Sequence, residues 1–128
     1  MQLAPQVTPG ERLLIRWLSG VQENNYVPAI SAMNDLLAMY PRDHRTAFLA
    51  GRWLVHQRRY AQGIFVLEHA VSLFSDYPAA INELAYAYAF SGNFEKASGL
   101  MERYVQLQPN QPNPYDSYGE ILRARGAI

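Results

Sequence analysis

The three histidines are the side chains best suited to metal binding or proton transfer, but their spacing favours neither chemistry. His56 lies on a predicted helix, His44 near the start of that helix, and His69 beside Glu68 on the next helix. They lack the His-Glu-x-x-His spacing that puts two metal ligands on one helical face. The serines form no nucleophile elbow, and no glycine-rich phosphate loop precedes a helix. The sequence therefore predicts no catalytic residue, cofactor or metal site, and we expect this protein not to be an enzyme.

Charged side chains form two small groups. Asp116 and Glu120 lie one helical turn apart, where Arg123 can neutralise one of the carboxylates. The other group is basic and consists of Arg52, His56, Arg58 and Arg59. Because a guanidinium group pairs well with carboxylates and phosphates, the basic group could contact an acidic partner segment or a phosphate.

The overall charge and composition argue against several other classes of protein. Eleven Lys and Arg balance eleven Asp and Glu, so no net field attracts nucleic acid. No apolar run approaches the roughly 20 residues that cross a bilayer. Residues 1–10 lack the basic start and apolar core of a signal peptide, and the absence of cysteine leaves the compartment open. We expect a cytoplasmic protein that binds neither nucleic acid nor membranes.

Apolar residues recur at intervals of three and four, which predicts an all-α chain of about seven helices. Thr8-Pro9-Gly10-Glu11 starts the first helix, with a threonine cap and a glutamate three residues later, and Glu23-Asn24-Asn25 ends it. The second helix starts near Tyr26 or Pro28 and stops before Pro41. The remaining helices are predicted at 43–57 and 60–74, from after Pro78 to the Ser91-Gly92-Asn93 turn, at 94–107 and, after a connector at 110–114, at 115–124. In the turn after the fifth helix, we expect Gly92 to take the left-handed conformation that ends a helix.

Large and small side chains repeat together at a fixed numbering interval of 34. Three of the series are Tyr26, Tyr60 and Phe94; Ala29, Gly63 and Ala97; and Met33, Leu67 and Met101. A fixed interval of this length is typical of stacked helical units that cannot bury their apolar faces alone.

The repeating residues resemble the tetratricopeptide repeat, a helix–turn–helix unit of about 34 residues. The third unit matches its pattern through Leu84, Ala85, Tyr88, Ala97, Met101 and Pro109. The second matches through Gly51, Leu54, Gly63, Leu67 and Ala70, and a partial fourth through Pro114, Tyr115, Tyr118, Gly119 and Leu122. The resemblance implies a right-handed α-solenoid of antiparallel helix pairs. We expect a tail at 1–7 and one domain at 8–128, with repeats at about 8–41, 42–77, 78–111 and 112–128.

The first helix departs from the repeat pattern, because bulky Trp17 stands where the interval of 34 requires a small residue. The tripeptides Arg16-Trp17-Leu18 and Arg52-Trp53-Leu54 stand at an interval of 36 instead. This spacing suggests two extra residues in the Glu23-Asn24-Asn25 turn.

The family resemblance also implies where a partner would bind. In such arrays the first helix of each unit lines a concave groove that holds a peptide segment of another protein. Ten residues fall on groove-facing positions, and Arg16 could continue the row: Arg45, Phe48, Arg52, His56, Asn82, Tyr86, Phe90, Asp116, Glu120 and Arg123. The alternative is that these are ordinary surface residues.

Some tetratricopeptide domains grip a C-terminal carboxylate with a pattern of lysine, asparagine and arginine. This sequence has Asn82 at one such place, but Phe48, Ala79 and Tyr86 stand where further polar residues would be needed. The resemblance therefore does not extend to chaperone-tail binding.

The end of the chain leaves two roles open. After Arg123-Ala124-Arg125-Gly126, residues 127 and 128 fall where the next helix would begin, as in a fragment of a longer array or a short terminal cap. In a fragment, the apolar Tyr118, Ile121 and Leu122 would lie uncovered and could form a homodimer through the C-terminal helix. The rival to a peptide-binding module is thus a spacer, docking or self-association segment of a larger regulator or enzyme.

Overall fold

The computed structural model describes residues 8–126, and every regular element in that range is an α-helix. The predicted tail at 1–7 and the expected start of a further helix at Ala127 and Ile128 lie outside the described residues. Within them, the prediction of an all-α chain of about seven helices is confirmed. The helices are α1 (Pro9–Gln22), α2 (Tyr26–Met39), α3 (His44–His56), α4 (Tyr60–Leu73), α5 (Pro78–Phe90), α6 (Phe94–Leu107) and α7 (Pro112–Arg125).

The chain divides into two compact units, the first ending at Arg42 and the second beginning at Asp43. In the first unit α1 packs against α2. In the second unit each helix from α3 to α6 packs against the next, while α3 also contacts α5 and α5 also contacts α7. Helices α3, α5 and α7 are each the first helix of a repeat, and each contacts the next in this series. This arrangement of helix pairs is a helical repeat fold.

The first helix begins with the capping box that the sequence predicts. The Thr8 hydroxyl accepts a hydrogen bond from the Glu11 backbone N–H at 3.1 Å, and the Glu11 carboxylate accepts one from the Thr8 N–H at 3.3 Å. Because the first N–H groups of a helix lack partners within it, these two bonds fix where α1 starts.

The repeat interval continues through α1, so the prediction of two extra residues in the first turn is wrong. Three residues separate α1 from α2, as they separate α3 from α4 and α5 from α6. Trp17, Gly51 and Ala85 are all buried at equivalent positions. Gly20 stands one repeat interval before Leu54, and both are buried. Helix α1 therefore has a large residue, Trp17, where α3 has Gly51, and it has Gly20 where α3 has a large residue, Leu54.

The same turn follows α1, α3 and α5. Its middle residue is left-handed in each case, with φ of 57° at Asn24, 61° at Arg58 and 92° at Gly92. After Arg58, the Arg59 N–H bonds back to the Leu54 carbonyl at 2.9 Å, which closes the end of α3. The predicted left-handed glycine at Gly92 is confirmed.

The last helix starts earlier than the sequence predicts. We expect a proline-rich connector at 110–114, but α7 begins at Pro112. Proline suits the first turn of a helix, because the N–H that it lacks would have no partner there. Two of the three prolines near this end therefore lie inside the helix, at Pro112 and Pro114.

The apolar face of α7 is covered, contrary to the expectation for a fragment. Ile121 is only 2% exposed and belongs to a buried cluster with Ile81, Met101 and Tyr104 of α5 and α6. Tyr118 packs against the same cluster and is partly buried. Leu122 is also partly buried. Burial of Ile121 therefore reduces the uncovered face that was expected, while a homodimer through α7 stays a prediction.

Candidate functional site

The first helices of the second unit each carry a row of predicted site residues. Arg45, Phe48, Arg52 and His56 follow one another on α3 at intervals of three or four, so they share one helical side. Residues on α5 and α7 have the same spacing. Helix α3 contacts α5, and α5 contacts α7. We call the combined surface the first-helix face; its predicted members are Arg45, Phe48, Arg52, His56, Asn82, Tyr86, Phe90, Asp116, Glu120 and Arg123.

A carboxylate of α5 lies between the basic side chains of α3. Glu83 Oε1 is 3.8 Å from Arg52 Nε and 3.7 Å from His56 Nε2. The Glu83 side chain is only 17% exposed, while both basic side chains are more than half exposed. These contacts hold Arg52 and His56 over α5, although pairs at this distance and exposure stabilise the fold only weakly.

Three aromatic rings form a wall beside these charges. The Phe90 ring lies 5.9 Å from the Tyr86 ring, stacked at 29°, and 5.7 Å from the Tyr60 ring. Phe90 nevertheless remains 54% exposed. The wall borders an open pocket of about 590 Å³ that is lined by Val55, His56, Arg58, Tyr60, Glu83, Tyr86 and Phe90.

Tyr86 connects the aromatic wall to α7. Its hydroxyl donates a hydrogen bond to Glu120 Oε2 at 2.8 Å. Burial raises the pKa of Tyr86; a hydrogen bond with Ser117 opposes the rise, and the bond to Glu120 adds to it. The Tyr86 hydroxyl is therefore linked to a carboxylate of the neighbouring first helix.

A second aromatic group lies at the N-terminal ends of α3 and α5. The Tyr77 ring is 5.2 Å from Phe48 and 5.3 Å from His44, and the His44 ring is 5.1 Å from Phe74. Burial raises the pKa of Tyr77, nearby Arg45 lowers it, and Asp43 raises it. Phe48 is partly buried against a core cluster, so much of its ring surface serves packing.

The other predicted residues differ in their surroundings. Asn82 is partly buried, and its Oδ1 atom is shielded from solvent without a hydrogen-bond partner among the described residues. Arg45, Asp116 and Arg123 are exposed. Arg16 is also exposed and belongs to the first unit. The contacts therefore bring together Arg52, His56, Tyr86, Phe90 and Glu120, but they do not join the remaining five to this group.

Four residues of the pocket lie outside the ten groove-facing residues that the sequence predicts: Val55, Arg58, Tyr60 and Glu83. Glu83 follows Asn82, and the repeat pattern assigns the groove position to Asn82 alone. A signal for Glu83 is nevertheless present, since it carries the only formal charge on α5. Tyr60 belongs to the packing series that starts at Tyr26, although its ring also contacts Phe90.

Within residues 8–126, no group of three His, Cys, Asp or Glu side chains is arranged to hold a metal ion. The helices in this part of the chain are also too short or too polar to span a membrane. What the first-helix face offers is aromatic surface, paired charges and amide groups, which are the means of noncovalent recognition.

Several solved structures share this fold. MamA from Desulfovibrio magneticus RS-1 superposes with a TM-score of 0.78 at 20% identity, over 91% of this chain and 66% of that one. The first tetratricopeptide domain of Spaghetti (RPAP3), bound to the HSP90 peptide SRMEEVD, gives 0.76 at 18% identity, over 91% and 93%. A Thermobaculum terrenum O-GlcNAc transferase mutant gives 0.68 at 18% identity, over 91% and 23%. This chain thus spans about two thirds of MamA and under a quarter of the transferase.

At the level of sequence, no curated protein matches this chain. The family model described as tetratricopeptide repeat matches residues 54–117, which is half of the 128 residues. The match covers all of α4, α5 and α6 and reaches into α3 and α7. Together with the helical repeat fold, it confirms the resemblance seen in the repeating residues. The chain belongs to the tetratricopeptide repeat family.

Proposed function

We propose that this protein is a non-enzymatic interaction module that binds a peptide segment of a partner protein on the first-helix face of α3, α5 and α7. The observation that carries the proposal is Phe90, a large aromatic ring that is 54% exposed beside an open pocket. An exposed aromatic ring at a pocket, supported by neighbouring rings, is the usual form of an interaction hot spot.

The arginine paired with Glu83 beside the wall suits an acidic group of a peptide. Arg52 is more than half exposed and could bind a second carboxylate besides Glu83. The Spaghetti domain of the same fold holds a peptide in its structure, which makes a peptide a reasonable ligand class here.

The carboxylate-gripping pattern is missing at Phe48, Ala79 and Tyr86. We therefore do not propose the HSP90 tail as the partner. The ligand that the face favours presents a bulky apolar side chain to Phe90.

The test is a selection of peptides on the intact protein. A library of random peptides of about twelve residues, long enough to cross three helices when extended, is displayed and selected for binding. The Phe90→Ala variant should bind the selected peptides at least about tenfold more weakly, because a hot-spot ring is removed.

Phe65→Ala is the matched control, since Phe65 lies on α4 and is 79% exposed. This variant should bind as the original protein does. Peptides that bind both variants equally well would contradict the proposal.

The second candidate function is that of a spacer or docking segment within a longer protein. It is favoured by the transferase, in which the region that superposes on this chain accounts for under a quarter of the length. If this function holds instead, selection should yield no peptide whose binding depends on Phe90, and a neighbouring domain should contact the helices directly.

A further inference from the structure

Arg58 occupies a backbone conformation that does not suit arginine. Its φ of 61° is left-handed, as at Asn24 and Gly92, which lie one repeat interval before and after it. Glycine and asparagine tolerate this conformation, whereas a long side chain there is under strain. The turn itself would form as well with glycine, as it does at Gly92. Strained positions often carry a side chain that serves a function other than folding.

Arg58 and Phe90 of the aromatic wall line the same pocket. Among residues 8–126, the carboxylate lining the pocket is Glu83, and it is paired with Arg52 and His56. No ion pair joins Arg58 to a carboxylate of the described residues. The pocket therefore presents an arginine whose charge is left for a ligand to balance.

We propose that Arg58 selects partner segments in which an acidic side chain lies beside the apolar side chain held by Phe90. This inference rests on the proposed function and narrows its ligand class to acidic peptides with a bulky apolar residue. Arg58 lines a pocket whose carboxylate, Glu83, is already paired with Arg52, so the local charge favours an anionic ligand. The exposed position of Arg58 means that added salt will weaken the preference.

A double-mutant cycle on the selected peptides tests the inference. The peptide is changed from Glu to Gln, or from Asp to Asn, at its acidic position, and the protein is changed by Arg58→Gly. Against the original protein the neutral peptide should bind about tenfold more weakly. Against Arg58→Gly the acidic and neutral peptides should bind alike. A thermal melt of Arg58→Gly should be no lower than that of the original, because glycine suits the left-handed turn.

Asn24→Gly is the control, since it makes the same backbone change in a turn that does not line this pocket. It should leave the affinity for both peptides unchanged. If Phe90→Ala abolishes binding but the neutral peptides and Arg58→Gly bind normally, the inference is wrong while the proposed function stands. If no selected peptide depends on Phe90, both are wrong.

Discussion

Single positions in the turns between helices set local stability. Arg58 and Gly92 occupy equivalent places after α3 and α5, with φ of 61° and 92°. A side chain in this region brings its Cβ atom close to the backbone, at a cost of roughly 1–2 kcal/mol. Space around Gly92 is open, so an added side chain there would meet only this backbone strain.

We expect the two reciprocal substitutions to have opposite effects. Arg58→Gly should raise the free energy of unfolding by about 0.5–1 kcal/mol, because relief of strain exceeds the added freedom of the unfolded chain. Gly92→Arg should lower it by about 1–2 kcal/mol. Urea unfolding followed by circular dichroism would measure both. A loss of stability in Arg58→Gly would mean that the arginine stabilises its turn.

Which residues meet across helices is only partly readable from the sequence. The repeat pattern places Arg52, His56, Tyr86 and Phe90 on one surface, because groove positions recur at fixed places in each unit. It does not predict Glu83, because that residue's contacts depend on the offset between α3 and α5 rather than on helical spacing. Offsets between helices follow from packing of both partners, which no single helix encodes.

Among the elements, α5 is linked through Tyr88 to both α4 and α6. Tyr88 on α5 donates a hydrogen bond to Glu68 of α4 at 2.8 Å, and Lys96 of α6 lies 5.2 Å from the centre of the Tyr88 ring. Burial first, and then the bond and charge of Glu68, raise the pKa of Tyr88 from 10.0 to about 12. The neutral phenol is thus favoured in the folded state.

This shift makes stability depend on pH in the alkaline range. Between pH 10 and about 12 the unfolded chain loses the Tyr88 proton while the folded chain keeps it, so rising pH favours unfolding. Tyr88→Phe should lower stability by about 1 kcal/mol at neutral pH through loss of the hydrogen bond. The variant should also lose less stability than the original protein between pH 10 and about 12. Urea unfolding at a series of pH values checks this, and parallel curves would contradict it.

Helix bounds are predictable where the sequence carries a strong local signal. The first six helices begin and end within about one residue of the predicted positions, since caps, glycine and proline mark their ends. The start of α7 differs from its predicted place, because the prolines at 112 and 114 suit a connector and a first turn equally well. Whether a helix includes them depends on what α7 packs against, which here is the cluster around Ile121.

At the scale of the whole chain, one interval organises the packing of the helices. The repeat period governs the buried series on the second helices and the left-handed turns. It also holds in the irregular first helix, where Trp17 stands at the position that Gly51 has in α3. The proposed peptide recognition depends on side chains that do not repeat. Phe90 corresponds to His56 in the repeat before it, and Arg58 to Gly92 in the repeat after it. Glu83 corresponds to Leu49 in the repeat before it and to Ser117 in the repeat after it. Each repeat therefore offers a different surface.

Charge is balanced overall but unevenly distributed. The chain has a net charge of zero, yet α3 carries basic side chains without an acidic one, while α7 carries Asp116 and Glu120. A partner segment lying across α3, α5 and α7 would therefore contact basic side chains at α3 and both acidic and basic side chains at α7. Such polarity orients a ligand more than it adds affinity.

The central claim, that a peptide binds across α3, α5 and α7, is tested most directly by mapping amide shifts of the isotope-labelled protein during titration with a selected peptide. We expect the largest changes at His56, Glu83 and Phe90, with smaller ones around Glu120. Changes concentrated instead at Phe65 and His69 on α4 would contradict the claim, because they would move binding to the second helix of the repeat.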